Sequence, residues 1–397
     1  MSAPLSIVIL AAGKGTRMYS ALPKVLHRIG GQTMLERVID TALSLKPQHI
    51  SVVIGHGKDA VRDTVQRDVA WVEQTEQLGT GHALKTALPQ LPADGSTLVL
   101  YGDVPLIDAA TLQTLLDAAG DEVGLLTDVL ADPTGYGRIV RQDGRVVAIV
   151  EEKDADAAQK AITETNTGIL VLPNRHLSGW LAQLNSNNAQ GEYYLTDLIA
   201  LANADGIAVH PVQVAASYLA AGVNNKQQLA ALERIFQHNQ AELLLKAGLT
   251  LRDPARFDLR GSLKHGQDVE IDINVLLEGD NELGDGVRIG ANCVIKNAII
   301  GAGSVIEPFS HLENCRIGRD ARIGPYARLR PQADIGDEAH IGNFVEVKNS
   351  TIGHGSKANH LSYIGDAEIG RGSNIGAGTI TCNYDGVNKH RTVIGDE

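Results

Sequence analysis

Short apolar runs alternate with amphipathic stretches over the first part of the chain. SIVIL (6–10) precedes MLERVIDTAL (34–43), SVVIG (51–55) precedes KDAVRDTVQ, and TLVLYGD (97–103) precedes AATLQTLLDAA. Strand–helix alternation of this kind predicts right-handed βαβ units and a mostly parallel sheet. Such sheets bind ligands at the carboxyl ends of their strands, so the loops after SIVIL and TLVLY are where chemistry is expected. A helix-forming stretch, NKQQLAALERIFQHNQAELLLKAGL (225–249), follows, with Gly248 as its stop signal.

From about residue 269 the pattern changes. Small aliphatics recur every six residues at Ile271, Leu277, Leu283, Ile289 and Ile295, then slip to five at Ile300 and resume at Ile306 and Leu312. A second slip gives Ile317, with Ile323, Leu329, Ile335, Ile341 and Val347 in phase behind it. A third gives Ile352 and, two steps on, Ile364; a last gives Ile369 and Ile375. Gly follows many of them. This period is the signature of a hexapeptide parallel β-helix, three hexapeptides closing one triangular coil. Each aliphatic is expected to point inward and each following Gly to turn a corner. A β-sandwich, whose turns recur at about 8–12 residues, does not hold such a phase. The division expected is an α/β, Rossmann-like domain over 1–225, a linker helix over 226–250 and a β-helix domain over 251–397.

Composition changes this picture little. A chain of 397 residues is too long for one ordinary core, and 43% hydrophobic with 21% charged residues is ordinary for a globular protein. The net charge of −12 argues against a general nucleic-acid binder, which needs a basic face. It leaves room for a small anionic ligand held by local cations. Cys293, Cys315 and Cys382 are odd in number and lack CxxC spacing, which argues against a zinc site and for a reducing compartment. No run approaches the roughly 18 apolar residues of a membrane span, and no basic-then-apolar signal peptide opens the chain. The cytoplasm is the expected compartment, and no membrane or nucleic-acid partner is expected.

ILAAGKGTRM (9–18) opens the first of the expected binding loops. A Walker A loop places Lys after its last Gly, and the dinucleotide fingerprint wants Gly or Ala where Met18 stands, so it fits neither. The amides of Gly13, Gly15 and Thr16 and the cations Lys14, Arg17 and Lys24 suit phosphate oxygens, with help expected from a following helix N-terminus. Lys14 is either a phosphate ligand or a solvated cation. Asp103, in YGDVP (101–105), suits Mg²⁺, which takes one or two carboxylates plus substrate phosphates. EQLGTGHA (76–83) offers glycines and neutral polar side chains able to read a base. Each feature has an ordinary structural reading, a turn or a cap; together they favour phosphoryl chemistry. No nucleophilic triad stands out. Nucleotidyl transfer onto a sugar phosphate needs alignment and charge neutralisation, because the attacking phosphate oxygen is already ionised.

In the β-helix, KANHLSYIGD (357–366) carries His360 and Tyr363 near a corner where the phase skips. GAGTITCNYDGVNKHRTVIGD (376–396) interrupts the rhythm with a loop. Coils stack at a step of about 18 residues, so Arg330, Lys348 and the segment 363–366 fall in one basic column that suits a phosphate. His360 is either the base of a ligand site or a surface histidine.

LAAGKGTRM…LPKVL, EQLGTGHA, LYGDVPL, DPTGYGRI, EEKD, NTGI, GEYYLTD and GVNN occur in the order seen in sugar-nucleotide pyrophosphorylases. With the hexapeptide domain behind them, the chain resembles the bacterial bifunctional N-acetylglucosamine-1-phosphate uridyltransferase/glucosamine-1-phosphate acetyltransferase family over essentially its whole length. The resemblance implies a nucleotidyltransferase domain, a left-handed β-helix and a homotrimer. It implies transfer of UMP from UTP to N-acetylglucosamine-1-phosphate, giving UDP-N-acetylglucosamine and pyrophosphate. It also implies acetylation of glucosamine-1-phosphate from acetyl-CoA. Both are steps toward peptidoglycan and lipopolysaccharide precursors.

By the same resemblance, Gly13, Arg17 and Lys24 hold the triphosphate and neutralise charge at the α-phosphorus, with Ala11, Ala12 and Lys14 beside them. Gln74, Gln77, Gly79 and Thr80 read uracil and line the nucleoside pocket. Tyr101, Gly137, Glu151 and Asn166 contact the N-acetylglucosamine, while Asp103 and Asn224, chosen over Asn225 by alignment with GVN, carry Mg²⁺. His360 is the general base toward the glucosamine amine, a task suited to a group titrating near neutrality. Arg330, Lys348, Tyr363, Asn374 and Lys389 hold the sugar phosphate, Asn383 and Tyr384 line the sugar pocket, and Ala377 lies on the substrate side. Family sequences continue for several more coils that contribute acetyl-CoA contacts, so acetyl transfer by this chain is expected to be weak or absent. Two other readings stand beside this one. A single-activity nucleotidyltransferase with a β-helix scaffold is disfavoured by His360-x-x-Tyr363 with Arg330 and Lys348. A nucleotide-sugar-binding scaffold is disfavoured by the pairing of Asp103 with Asn224.

Overall fold

Successive residues of the strand Leu5–Leu10 enter different cores: Ile7 and Ile9 join one hydrophobic cluster, Val8 and Leu10 another. Val52 and Ile54 against Val53, and Leu98 and Leu100 against Val99, repeat the division. A pleated strand points alternate side chains to opposite faces, so a run apolar at every position is covered on both sides. The computed structural model describes residues 4–397. They divide into two compact units at Leu232/Glu233, inside the helix Lys226–Lys246.

The main sheet of the first unit runs in the order Val209–Gln213, Val123–Val129, Glu164–Pro173, Ser96–Tyr101, Leu5–Leu10, His49–Ile54 and Ala70–Glu73. Only Glu164–Pro173 is antiparallel to its neighbours in this order. The hairpin Arg138–Gln142/Arg145–Val150 pairs with it through Arg138 and Thr165. From Leu5–Leu10 the chain moves out through His49–Ile54 to Ala70–Glu73, then returns to the other side at Ser96–Tyr101. The loops after Leu5–Leu10 and Ser96–Tyr101 therefore part at a switch point, which opens a crevice at the strands' carboxyl ends. The helix Met34–Ser44 closes one face. Thr33 and Glu36 form its capping box, and Met34, Leu35, Val38, Ile39 and Ala42 bury one stripe.

In the second unit, three columns of short parallel strands stack coil on coil, each step 17 or 18 residues. Every member of the aliphatic series from Ile271 to Ile369 is at most 2% exposed, so the expected inward positions are filled as read. The phase does not skip at 358: Ala358 is fully buried and takes the inward place.

The glycines after the aliphatics have another task than turning corners. Corners are turned by left-handed residues, Asn274, Asn292, Phe309, Tyr326, Phe344 and Leu361 along one edge and Asn297, Asn314, Gln332, Asn349 and Asp366 along another. Asn and Asp tolerate that conformation, whereas the aromatic rings compensate by stacking, with Phe309–Tyr326 and Tyr326–Phe344 centroids 5.0 and 5.3 Å apart. The glycines lie where one coil's backbone meets the next. A Cβ on Gly301 would stand 2.6 Å from the carbonyl carbon of Gly318, and one on Gly353 2.5 Å from that of Gly370. After Ala367–Ile369 the step lengthens to 25 residues: 379–381 still stack on Tyr363, 382–391 then leave the coil as a loop, and Thr392–Ile394 resumes it. Among the described residues no helix is long and apolar enough to cross a membrane.

If backbone approach is what demands these glycines, Gly353→Ala destabilises the chain by roughly 1–3 kcal/mol, the cost of overpacking. Gly376→Ala, where no atom lies within 4 Å, changes stability by less than about 0.5 kcal/mol. Thermal unfolding of the two variants beside the parent checks the contrast.

Candidate active sites

The crevice at the switch point holds a cavity of about 470 Å³. Ala11, Ala12, Gly13, Lys14, Lys24, Gln74, Gln77, Gly79, Thr80, Tyr101 and Asp103 all line it, each from a segment singled out in the sequence. Hydrogen bonds between strand ends set this convergence: Ala11 N–H donates to Val53 O (2.8 Å), Gln74 N–H to Ile54 O (2.8 Å) and Gly102 N–H to Leu10 O (3.0 Å). The two loop glycines differ in role. Gly15 is left-handed (φ 60°), and a Cβ there would press on Lys24 Cβ at 2.6 Å, so the fold requires it. Around Gly13 a Cβ would meet nothing within 4 Å; its bareness keeps the loop backbone open to the cavity. The helix expected to follow the loop is only the turn Thr16–Met18, ended by left-handed Tyr19. One turn sums too few peptide dipoles to attract an anion, so amides and cations carry that task. Arg17 is exposed on this turn, outside the cavity lining.

Lys24 does not stand free for phosphate. Its Nζ is paired with Asp103 Oδ2 and donates to Asn224 Oδ1 at 3.2 Å. Val223 N–H bonds Asp103 O (2.8 Å) and so draws the GVNN segment to the strand end. Of the two asparagines, Asn225 Oδ1 accepts from Gln228 N–H (2.8 Å) at the start of the helix Lys226–Lys246, while Asn224 turns its side chain to Lys24. Two side-chain oxygens converging on one cation fit a hard divalent ion, whose remaining positions phosphate and water would fill.

Above the base-reading segment, Tyr193 O accepts from Gly81 N–H and Tyr193 N–H donates to Leu78 O, both at 2.8 Å. A Cβ on Gly79, at φ 107°, would stand 2.7 Å from Tyr193 O, so only Gly fits beneath this clamp. Thr80 Oγ1 accepts from Leu195 N–H at 3.2 Å. Burial pushes the Tyr101 phenol up, with Glu151 and Asp103 adding to the shift. Toward the other end, a Cβ on Gly137 would lie 3.5 Å from Glu151 Oε2 and 3.6 Å from Asn166 Cβ, so those three residues meet. Burial raises the Glu151 carboxyl, and Asp154, Asp197 and Glu192 push the same way; Thr196 Oγ1 donates to it at 3.0 Å and opposes them. Beneath this hairpin, buried Arg138 pairs with Glu152 at 2.6 Å. Glu192 and Thr196 were not singled out in the sequence; GEYYLTD is a visible motif, but which of its side chains face the cavity is settled only by the fold.

In the second unit Arg330 and Lys348 stack as expected, one step beyond the paired Leu329 and Val347. The column then ends, because Gly365 pairs with Lys348, and a Cβ at Gly365 would overlap the ring of Tyr363. The third cation comes instead from the loop. Lys389, His390 and Arg391 line a cavity of about 380 Å³ with Gln332, Asn349 and Asp366. Hydrogen bonds from Asn349 and Asn383, with Lys348 and Lys389 nearby, hold the Asp366 carboxyl below the usual carboxylate range. Arg330 pairs with Glu346 at 2.8 Å.

His360 ends the strand Lys357–His360 at the preceding corner, beside left-handed Leu361. Its Nδ1 lies 3.0 Å from Asn343 Oδ1 on the coil before. An amide oxygen only accepts, so Nδ1 carries the proton and Nε2 is the basic nitrogen. Asn343 was missed, although the 17-residue coil step points to it. Gly378 N–H reaches His360 O at 3.4 Å, which sets Ala377 near it. Asn374 is exposed opposite Lys357, and Tyr384 is exposed with its hydroxyl donating to Gly386 O.

Two units of these kinds, a nucleotidyltransferase sheet and a hexapeptide β-helix, define a two-part transferase. The MobA-like NTP transferase domain family matches residues 7–242, and the bacterial transferase hexapeptide (six repeats) matches 297–331 and 314–349. The chain is 75% identical to the Bifunctional protein GlmU of Neisseria meningitidis serogroup B, over 99% of this chain and 86% of that one. It is 64% identical to that of Chromobacterium violaceum (99% and 87%) and 56% identical to that of Acinetobacter baylyi (98% and 87%). The matches run through both units, and the chain belongs to the GlmU family. It is thus a bifunctional enzyme, a uridyltransferase and an acetyltransferase.

The raised Glu151 carboxyl has a stability consequence. Folding favours its protonated form, so its contribution to stability falls as pH rises past the unfolded value, about 4.3, toward the higher folded value. Glu151→Gln keeps the Thr196 contact and removes the ionisation. The variant is expected to melt above the parent at pH 8 and to converge with it near pH 4, in paired thermal scans.

Proposed function

We propose that the crevice of the first unit transfers UMP from UTP to N-acetylglucosamine-1-phosphate, releasing UDP-N-acetylglucosamine and pyrophosphate. The β-helix acetylates glucosamine-1-phosphate from acetyl-CoA. The observation that carries the first reading is the convergence of the Asp103 and Asn224 side-chain oxygens on the Lys24 ammonium at the cavity that Gly13, Gln74, Gln77, Gly79 and Thr80 line. When bound to Asp103 and Asn224, Mg²⁺ supplies neutralisation of the phosphate charge. Displaced from Asp103 and Asn224 by such a cation, the Lys24 ammonium turns to phosphate oxygens in the cavity it shares with Gly13 and Lys14, and Arg17 approaches from the exposed turn. Ala11, Ala12 and Gly13 wrap the triphosphate with backbone. Gln74, Gln77, Gly79 and Thr80 hold the uracil end; Tyr101, Gly137, Glu151 and Asn166 hold the sugar, aligning its phosphate oxygen with the α-phosphorus. No protein base is needed, because that oxygen is already ionised.

In the β-helix, Nε2 of His360 takes a proton from the glucosamine amine as it attacks the thioester carbonyl. Arg330, Lys348, Tyr363, Asn374 and Lys389 hold the sugar phosphate, Asn383 and Tyr384 line the sugar pocket, and Ala377 lies on the substrate side. The chain works as a homotrimer, a reading supported by the exposed ring stack of Phe309, Tyr326 and Phe344 along one corner.

Two assays test this: pyrophosphate release from UTP and N-acetylglucosamine-1-phosphate, with and without Mg²⁺, and thiol release from acetyl-CoA and glucosamine-1-phosphate. Absence of pyrophosphate from the parent overturns the reading. Asp103→Ala is expected to lower pyrophosphate release by roughly a thousand-fold, several kcal/mol of lost charge stabilisation. His360→Ala leaves pyrophosphate release at the parent rate, while its thiol release falls roughly 10²–10⁴-fold below the parent's. A uridyl defect in His360→Ala contradicts two independent sites.

A further inference from the structure

We propose that His82 is a positioning residue that sets which pyrimidine the crevice accepts, an inference that rests on the uracil-reading role given to Gln74 above. Gln74 is 3% exposed at the cavity wall. Its Nε2 donates to Gly79 O at 3.2 Å and lies 2.9 Å from His82 Nδ1. A backbone carbonyl only accepts, so the nitrogen end of the carboxamide has to face Gly79. Oε1, which takes no hydrogen bond from any described residue, is left as an acceptor at the wall.

His82 fixes the same orientation from a second side. To accept from Gln74, its Nδ1 carries the lone pair and Nε2 the proton. The imidazole is itself held: it lies in the first turn of the helix Thr80–Ala87, whose Gly81 N–H is tied to Tyr193 O, and its centroid is 6.3 Å from the Tyr193 ring.

Uracil presents an N3–H donor between two carbonyl oxygens; cytosine presents a bare N3 beside an amino group. A fixed acceptor matches the first and sets lone pair against lone pair with the second. Turning the carboxamide over would answer cytosine, but it would drive Oε1 against the Gly79 carbonyl and would need the His82 proton moved from Nε2 to Nδ1. The Gly79 carbonyl sets the amide, and the imidazole tautomer adds to the cost of turning it. The Gly79 carbonyl belongs to the backbone; His82 is the member that a side-chain substitution can remove.

Pyrophosphate release is measured with UTP and with CTP, each with N-acetylglucosamine-1-phosphate, for the parent, His82→Phe and His82→Asn. Phe has no acceptor, whereas Asn Oδ1 stands at the position of His Nδ1. The UTP-to-CTP ratio of kcat/KM is expected to fall roughly 10- to 100-fold in His82→Phe, the size expected when a buried amide loses an orienting partner. The loss lies in KM for UTP and leaves kcat near the parent, and His82→Asn recovers most of the ratio. An unchanged ratio in His82→Phe, or one equally low in His82→Asn, overturns the proposal. If His82→Phe does not fold, His82→Leu supplies the acceptor-free comparison. A parent inactive with both nucleotides refutes the crevice reading itself. An active parent whose selectivity ignores His82 refutes only this inference.

Discussion

A strand buried on both faces has nowhere to put a polar side chain except past its end. Both units live under that constraint. In the first, Ile7, Val8, Ile9 and Leu10 fill two cores in turn, and the polar groups begin with the loop after Ala12. In the second, each coil commits its inward positions to aliphatics, and charge is confined to the outer faces and corners. The catalytic candidates follow from this exclusion. They cluster at the switch point, where two loops part, and along two neighbouring edges of the β-helix, where the chain has to turn.

Within the crevice the charges are arranged against their ordinary habits. Asp103, only partly exposed, is paired with Lys24, whose ammonium also donates to Asn224. Glu151 is sunk among other carboxylates with a single hydroxyl donor to relieve it. Such a placement costs stability, and it leaves unspent hydrogen-bonding capacity facing the cavity. The local balance differs from the chain's net charge of −12: on the cavity wall Lys14 and Lys24 stand against Asp103 and Glu192, two charges of each sign.

Periodicity made most of the architecture legible. The alternating runs locate the strands of the sheet's switch point, and the six-residue series marks the buried positions from Ile271 to Ile369. What escaped is what depends on atoms distant in sequence. Gly after Ile reads as a corner because glycine usually marks turns, yet at Gly301 and Gly353 it marks the approach of two backbones. Ala358 was overlooked because a small side chain breaks an aliphatic rhythm without leaving the core. Sequence marks Lys24 as a cation for phosphate but cannot show that Asp103 and Asn224 close on it. Asn343 under His360 was within reach of spacing arguments; Thr196 against Glu151 was not, as no local pattern links residues 45 apart.

The lengthened step between Ala367–Ile369 and Thr392–Ile394 has a bearing on how such a site can change. Both ends of the loop are clamped by strand pairing one coil apart, whatever lies between them. Closing a flexible loop between fixed ends costs only about 0.6 kcal/mol more for each doubling of its length. The corner therefore behaves as a socket: segments of different length and charge can be tied off there while the stack beneath keeps its register. Lys389, His390 and Arg391 ride on that exchangeable part, whereas Arg330 and Lys348 belong to the frame. Ligand preference in the second unit can thus be re-cut by replacing one loop, with the coils left as they are.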